Sequence, residues 1–216
     1  MKKIYSLIIS IIVYLIISYI NQFIAQNQIY PYEELPPLYD KLHNILPILS
    51  AHLPDIGLIF LVLYFILRWI IKDISILINF LWIVSLLFIG RAILISITKF
   101  PRILKYCENN NYCFNIFMKS WNKCPDYMYS GHTIHCVLIA LFTLYLPCKY
   151  IEKIIIILAT IIELIFIIAS RMHYTIDVLV ALLVTILIFF SWTGIDNIMT
   201  NIYNGGIYGK ILQKTI

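Results

Sequence analysis

The sequence has little charge. Only 12% of its 216 residues are Asp, Glu, Lys or Arg, roughly half the ~25% usual for a soluble domain. Glycine (7) and proline (8) are also few, so no long flexible linker separates modules. The five cysteines form no CxxC pair, which argues against zinc-ribbon and thioredoxin-like chemistry. Basic residues are scattered, and the net charge is only +5; no basic run or aromatic–basic ladder marks a nucleic-acid surface. No internal repeat recurs at a fixed period. What remains abundant is apolar: 62% of the residues, with mean hydropathy +0.90. A chain this apolar cannot bury its surface against itself in water, so lipid is its solvent. The expected class is an all-α, multi-pass membrane protein.

A spanning helix needs ~20 mostly apolar residues. Six runs meet or approach that length, over about 4–25, 55–71, 74–97, 132–147, 153–170 and 176–195. The expectation is a single six-span domain over 1–216. The second and third runs are parted only near Arg68, Lys72 and Asp73, the fourth and fifth only by Cys148–Glu152. Both pairs therefore read as antiparallel hairpins. The first run follows MKK and is long for a signal sequence without a clear small-x-small cleavage site, so it reads as a retained helix.

Lys2, Lys3, Arg68, Lys72, Lys149, Lys153, Lys210 and Lys214 fall on one side, which the positive-inside rule makes cytosolic, together with both termini. The longer loops, 26–54 and 98–131, face the lumen or exterior. They hold basic residues too, so the rule gives a direction rather than a proof. Cys107, Cys113 and Cys124 share one of these loops, and two of them could pair in an oxidising compartment. The membrane itself (Golgi, endoplasmic reticulum or plasma membrane) and any homo-oligomer stay open.

On this topology, three polar segments meet at the lumenal face. In His173-Tyr174-Thr175-Ile176-Asp177 the spacing of four puts His173 and Asp177 on one helix face. A carboxylate there can fix one imidazole nitrogen and leave the other as nucleophile or base; the plainer reading is a helix-start pair with Asp177 satisfying backbone donors. In Tyr129-Ser130-Gly131-His132-Thr133, Ser130 and Gly131 open an apolar helix. Such an end presents backbone N–H groups to an anion, and His132 beside it can move a proton; the plainer reading is a capped helix. Two such segments on one face point to phosphoryl-type transfer.

SGHT followed by HYTIDV resembles the sphingomyelin synthase family, within the wider lipid phosphatase superfamily. The resemblance extends along most of the chain. PPLYD (36–40) is similar to that family's PPLPD, with Tyr39 in place of a proline. Arg91, Thr98 and Pro101 in RAILISITKFP follow the spacing of its second motif. CPDYMYSGHT (124–133) resembles CGDxxxSGHT, with Pro125 in place of glycine. The resemblance implies six spans and a triad of His132, His173 and Asp177. His173 would attack the phosphorus of a phospholipid donor, and His132 would protonate the departing diacylglycerol and then deprotonate the hydroxyl of a ceramide acceptor. No metal or cofactor is implied. The donor headgroup is not read by the triad, so ethanolamine and inositol variants of the reaction stay beside choline.

Other readings compete. A lipid phosphatase would use water as acceptor, but the phosphatase patterns K-x6-R-P and S-R-x5-H-x3-D are absent: Tyr129 precedes Ser130 where those enzymes have proline, and Arg171 lies only two residues before His173. A non-catalytic membrane scaffold is the third class. Asp126 is read as orienting a histidine or contacting the headgroup. Arg91 and Glu163 are charges within spans, which are costly there, and are expected either to share one polar cavity, Arg91 toward phosphate and Glu163 toward an amine, or to form a structural ion pair. Tyr127, Tyr129, Trp121 and Tyr174 can hold a quaternary amine by cation–π attraction or simply form an interfacial belt. His135, His43, His52 and Cys148 are read as structural.

Overall fold

The computed structural model describes residues 2–27, 36–98, 100, 101, 103 and 129–203, with backbone alone for 26–27 and 195–203. Among the described residues all regular structure is helical: α1 (Lys2–Asn27), α2 (Lys41–Ile45), α3 (His52–Lys72), α4 (Ile74–Ile97), α5 (Gly131–Tyr145), α6 (Tyr150–Ala169) and α7 (Thr175–Tyr203). The six long helices overlie the six apolar runs; α2 is an addition inside the first loop.

Four helices, α1, α3, α4 and α7, are long and apolar enough to cross a membrane. The expected count of six is therefore met for four on length and composition. Helix α5 has only 15 residues, about 22 Å at 1.5 Å per residue, against a ~30 Å hydrocarbon core. It stops two residues earlier than expected because Leu146 precedes Pro147, and a pre-proline residue is pushed out of the α region; Leu146 is extended, at φ −90°, ψ 161°. Helix α6 is long enough but carries Glu152, Lys153 and Glu163.

Helix α5 is the central strut, in contact with α3, α4, α6 and α7. It is buried almost all round, as an interior helix should be: Ile134, Leu138, Ile139 and Phe142 have no exposed surface. Phe142 packs edge-on to Phe65 of α3 and Phe189 of α7, with centroids 5.7 and 5.3 Å apart, and Phe65 meets Phe80 of α4 at 4.7 Å. The outer faces of α1, α3 and α6 instead carry exposed isoleucines, such as Ile9, Ile59 and Ile155, which suits contact with acyl chains.

The hairpin turns define the two ends. At one, Asp73 caps α4 by accepting from the Ser75 N–H and also meets Lys3 of α1 at 3.4 Å. There Arg68 of α3 binds Glu152 of α6 at 2.6 Å, and Tyr64 donates to the same carboxylate. The other end gathers α2 and the starts of α3, α5 and α7 with the ends of α4 and α6. The described residues singled out for chemistry lie at or near it.

Candidate active site at one end of the helix bundle

The turn from α6 to α7 is held by its own arginine. Arg171 has φ +61°, a left-handed conformation uncommon outside glycine. Its guanidinium donates to the carbonyls of Ile168 and Ala169, both at 3.2 Å, to Leu46 at 2.9 Å and to His43. It thus satisfies carbonyls at the end of α6 while tying that end to α2. Arg171 is a structural clamp in this position.

This turn delivers His173 and Asp177, 3% and 1% exposed. Asp177 Oδ2 accepts the Tyr174 N–H at 3.0 Å, which is half of a capping box. The same oxygen lies 3.7 Å from His173 Nδ1, too far for a hydrogen bond, although dyads of this kind commonly tighten only with substrate. Nδ1 of His173 and Oδ1 of Asp177 have no partner among the described residues. Both sequence readings thus have a physical basis: Asp177 caps α7 and stands beside the imidazole.

PPLYD proves to be a clasp on this turn. Asp40 caps α2 through the N–H groups of Leu42 and His43, while its carboxylate also accepts the Thr175 N–H at 2.6 Å and the Thr175 hydroxyl at 2.7 Å. Burial opposes ionisation, but these donors and the neighbouring His43 hold the Asp40 carboxyl below its ordinary range. His43 Nε2–H donates to the His173 carbonyl at 3.1 Å. Its ring stacks on Tyr174, centroids 5.8 Å apart, and Phe100 meets the same ring edge-on. The Tyr174 hydroxyl accepts from Leu38 N–H and donates to the Pro101 carbonyl. Tyr174 is covered on its ring and satisfied at its hydroxyl, so of its two readings the cation platform gives way to a packing role. His43 is structural, as expected.

The second cluster opens α5. Ser130 caps it, accepting from the Thr133 N–H at 3.3 Å. Gly131 is in ordinary helical conformation, for no glycine among the described residues has positive φ. A Cβ there would lie 3.6 Å from the Phe88 ring and 3.9 Å from Arg91 Nε, so glycine leaves the space beside the guanidinium clear. Tyr129, just before, has φ +64° and turns its carbonyl to Arg91 Nε at 2.9 Å. Its side chain is 1% exposed, with a hydroxyl that has no partner among the described residues. A buried ring cannot act as an open cation platform in this conformation.

His132 is paired, and with a residue that sequence reasoning did not single out. Its Nε2 lies 2.8 Å from Oδ1 of Asp55, in the first turn of α3. In sequence, a carboxylate at a helix start carries no more meaning than a dipole-compensating charge. The available signal was its position at the edge of an apolar run, where only 9% of it is exposed.

Arg91 and Glu163 are both buried, at 7% and 2% exposure, but they serve different seams. Arg91 Nη1 donates to Asn21 of α1 at 3.2 Å, and Asn21 donates in turn to the Phe88 carbonyl. Glu163 packs against Gly57 of α3: a Cβ on Gly57 would sit 2.1 Å from Glu163 Oε2, so a larger residue at 57 would require the carboxyl to shift. No ion pair joins Arg91 to Glu163 among the described residues, and Glu163 lies within electrostatic reach of Asp55 instead. The ion-pair expectation is therefore replaced by two separate contacts. His135, one turn below His132, donates from Nδ1 to the Gly131 carbonyl at 2.8 Å, and Nε2 accepts from Tyr14 of α1 at 3.0 Å. Asp126, Tyr127, Trp121, Pro125, Cys107, Cys113 and Cys124 lie outside the described residues.

Against known families, the model of the PAP2 superfamily C-terminal region matches residues 123–194. The matched stretch contains both the Ser130–His132 start and the His173–Asp177 turn. Over this third of the chain the sequence is similar to the PAP2 superfamily, whose members are typically phosphatases or phosphotransferases. No curated protein matches the chain.

Proposed function

We propose that this protein is a membrane phospho-headgroup transferase that moves phosphocholine from phosphatidylcholine to ceramide, yielding sphingomyelin and diacylglycerol. In this reading all six long helices cross the bilayer, and the site end faces the lumen or exterior. His173 Nε2 attacks phosphorus while Asp177 steadies Nδ1, and the P–O bond to diacylglycerol breaks as His132 protonates the leaving oxygen. The primary hydroxyl of ceramide then gives its proton to His132 and displaces His173 from phosphorus. Ser130, Gly131 and Arg91 flank the phosphate, with Asp126 in the adjoining loop. Tyr129 supports Arg91 through its carbonyl, and Glu163 lies deeper.

One observation carries the choice of a diester over a monoester. Arg171, the arginine nearest His173 in sequence, has its guanidinium committed to four backbone carbonyls. A terminal phosphate with two charges calls for more cationic contact than a phosphodiester with one. The sequence motifs favour the same branch. A lipid phosphatase is the second reading, because the family match extends equally to hydrolases.

Purified protein in nanodiscs, given ceramide and headgroup-labelled phosphatidylcholine, phosphatidylethanolamine or phosphatidylinositol side by side, should label sphingolipid from the choline donor most rapidly. Phosphate release from phosphatidic acid without any need for ceramide would favour the phosphatase instead.

A further inference from the structure

At the end of the bundle opposite the site, α3 and α6 part around a cavity of about 590 Å³. Its polar wall is made by Tyr64, Arg68 and Lys72 of α3 with Lys149 and Glu152 at the start of α6. We propose that this cavity binds the headgroup phosphate of an anionic phospholipid whose acyl chains lie along α6. The binding is separate from the transfer reaction and does not depend on it.

The charges come first. Three cations face one carboxylate, a net charge of +2. The carboxylate is already satisfied from within the protein. Glu152 accepts from Arg68 Nε at 2.6 Å and Nη2 at 3.4 Å, from the Tyr64 hydroxyl at 2.6 Å and from the Lys149 N–H at 3.3 Å. In return it fixes the Arg68 guanidinium, which also lies 5.1 Å from the centre of the Trp69 ring. Lys72 and Lys149 are exposed, and neither ammonium is ion-paired among the described residues. The neighbouring acid, Asp73, is taken up by Lys3 at 3.4 Å and by the Ser75 N–H, and Lys153 turns to the Leu144 carbonyl at 2.6 Å. The cavity thus keeps two uncommitted ammonium groups beside a fixed guanidinium. A phosphate oxygen accepts well from both kinds of donor.

The lipid origin follows from what lies beside the charges. Lys72 ends α3 and Lys149 caps the start of α6, so both stand where the helices leave the hydrocarbon. Arg68 is one turn deeper, ~6 Å at 1.5 Å per residue. On α6, Ile151 and Ile155 line the same cavity and are 61% and 57% exposed. Ile155 is six positions beyond Lys149, ~9 Å deeper at the same rise. A soluble phosphate ester would leave that wall in water, whereas a phospholipid covers it with its glycerol and the first methylenes of its chains. Basic pockets between helices on the cytosolic side suit acidic headgroups, and the distribution of lysines predicts that this end is cytosolic.

The test uses full-length protein carrying His173→Ala, so that no donor is consumed at the other end. Native mass spectrometry in detergent measures the binding of phosphatidylglycerol, phosphatidylcholine and glycerol 3-phosphate. Phosphatidylglycerol should bind at least about tenfold more tightly than phosphatidylcholine. Adding Lys72→Gln and Lys149→Gln should weaken phosphatidylglycerol about 10- to 30-fold, about fivefold for each lysine, and leave phosphatidylcholine within about twofold. Thermal unfolding gives a second readout: phosphatidylglycerol should raise the midpoint with both lysines present and not with both replaced. Without lipid the two proteins should unfold alike, because neither lysine holds a partner. Equal binding of phosphatidylglycerol with and without the lysines, or equal binding of the two lipids with the lysines present, overturns the proposal. Glycerol 3-phosphate that displaces phosphatidylglycerol at equal concentration overturns the lipid assignment and makes the ligand a soluble phosphate ester. None of these readings uses turnover, so failure of the transfer reaction and failure of this proposal are told apart.

Discussion

The two ends of the bundle treat their ionisable groups differently. At the hairpin end, the buried and half-buried charges find partners: Arg68 with Glu152 at 2.6 Å, Asp73 with Lys3 at 3.4 Å, and Lys153 with the Leu144 carbonyl at 2.6 Å. At the site end, atoms of the same chemical types stay unmatched: His173 Nδ1, Asp177 Oδ1 and Glu163 Oε1 have no hydrogen-bond partner among the described residues. Two non-glycine residues in left-handed conformation, Tyr129 and Arg171, adjoin the same end. Unsatisfied buried polar atoms and backbone strain are each costly. Unpartnered buried atoms also occur at the hairpin end, at Trp69 Nε1 and Ser75 Oγ, but the ionisable ones and the two left-handed residues gather at the site end, as a site prepared for a charged substrate would show.

Substitutions should separate these two roles. The largest effect is expected at His173: His173→Ala should lower turnover by at least about 10³-fold, as loss of a nucleophile does, with unfolding little changed. Substantial residual transfer would remove His173 from the nucleophile role. Next, Asp177→Asn should cost on the order of 10²-fold in kcat and also weaken the start of α7, because the carboxylate accepts the Tyr174 N–H. Asp40→Ala releases the Thr175 N–H and hydroxyl from their acceptor; a turn displaced by even ~1 Å should reduce kcat by about 10- to 100-fold. Asp40 also gives this end an acid sensitivity. Its folded pKa is depressed, so its contribution is present above the unfolded value of about 3.9 and is lost as pH falls below it. An acid-unfolding midpoint that does not move in Asp40→Asn would contradict this. The smallest effect on activity belongs to the paired end. Arg68→Met should leave kcat within about twofold while lowering stability by about 1–3 kcal/mol, because Glu152 loses a charged partner.

The same contrast explains what was legible in the sequence. Long apolar runs depend only on local composition, so all six long helices were visible, as were the pairs that lie close in sequence: Ser130 with His132, and His173 with Asp177. The 5-residue α2 is too short for any periodic signal, and its existence depends on Asp40 meeting Thr175 across 135 positions of chain. Asp55 and His132 are separated by 77, and nothing local in HLPDIG distinguishes a histidine's partner from a helix-start charge. Arg91 and Glu163 were visible as charges within spans, but their partners were not. Asn21 and Gly57 serve them from other helices, and an asparagine or glycine in an apolar run carries no sign of what it faces.

In the proposed reaction His173 becomes covalently attached to phosphorus. Headgroup- and phosphorus-labelled phosphatidylcholine, incubated with the purified protein without ceramide and quenched in base, should leave both labels on a peptide containing His173, and ceramide added before the quench should discharge them into sphingolipid. Transfer to ceramide with no label on His173, or with label on His132 in its place, would contradict it.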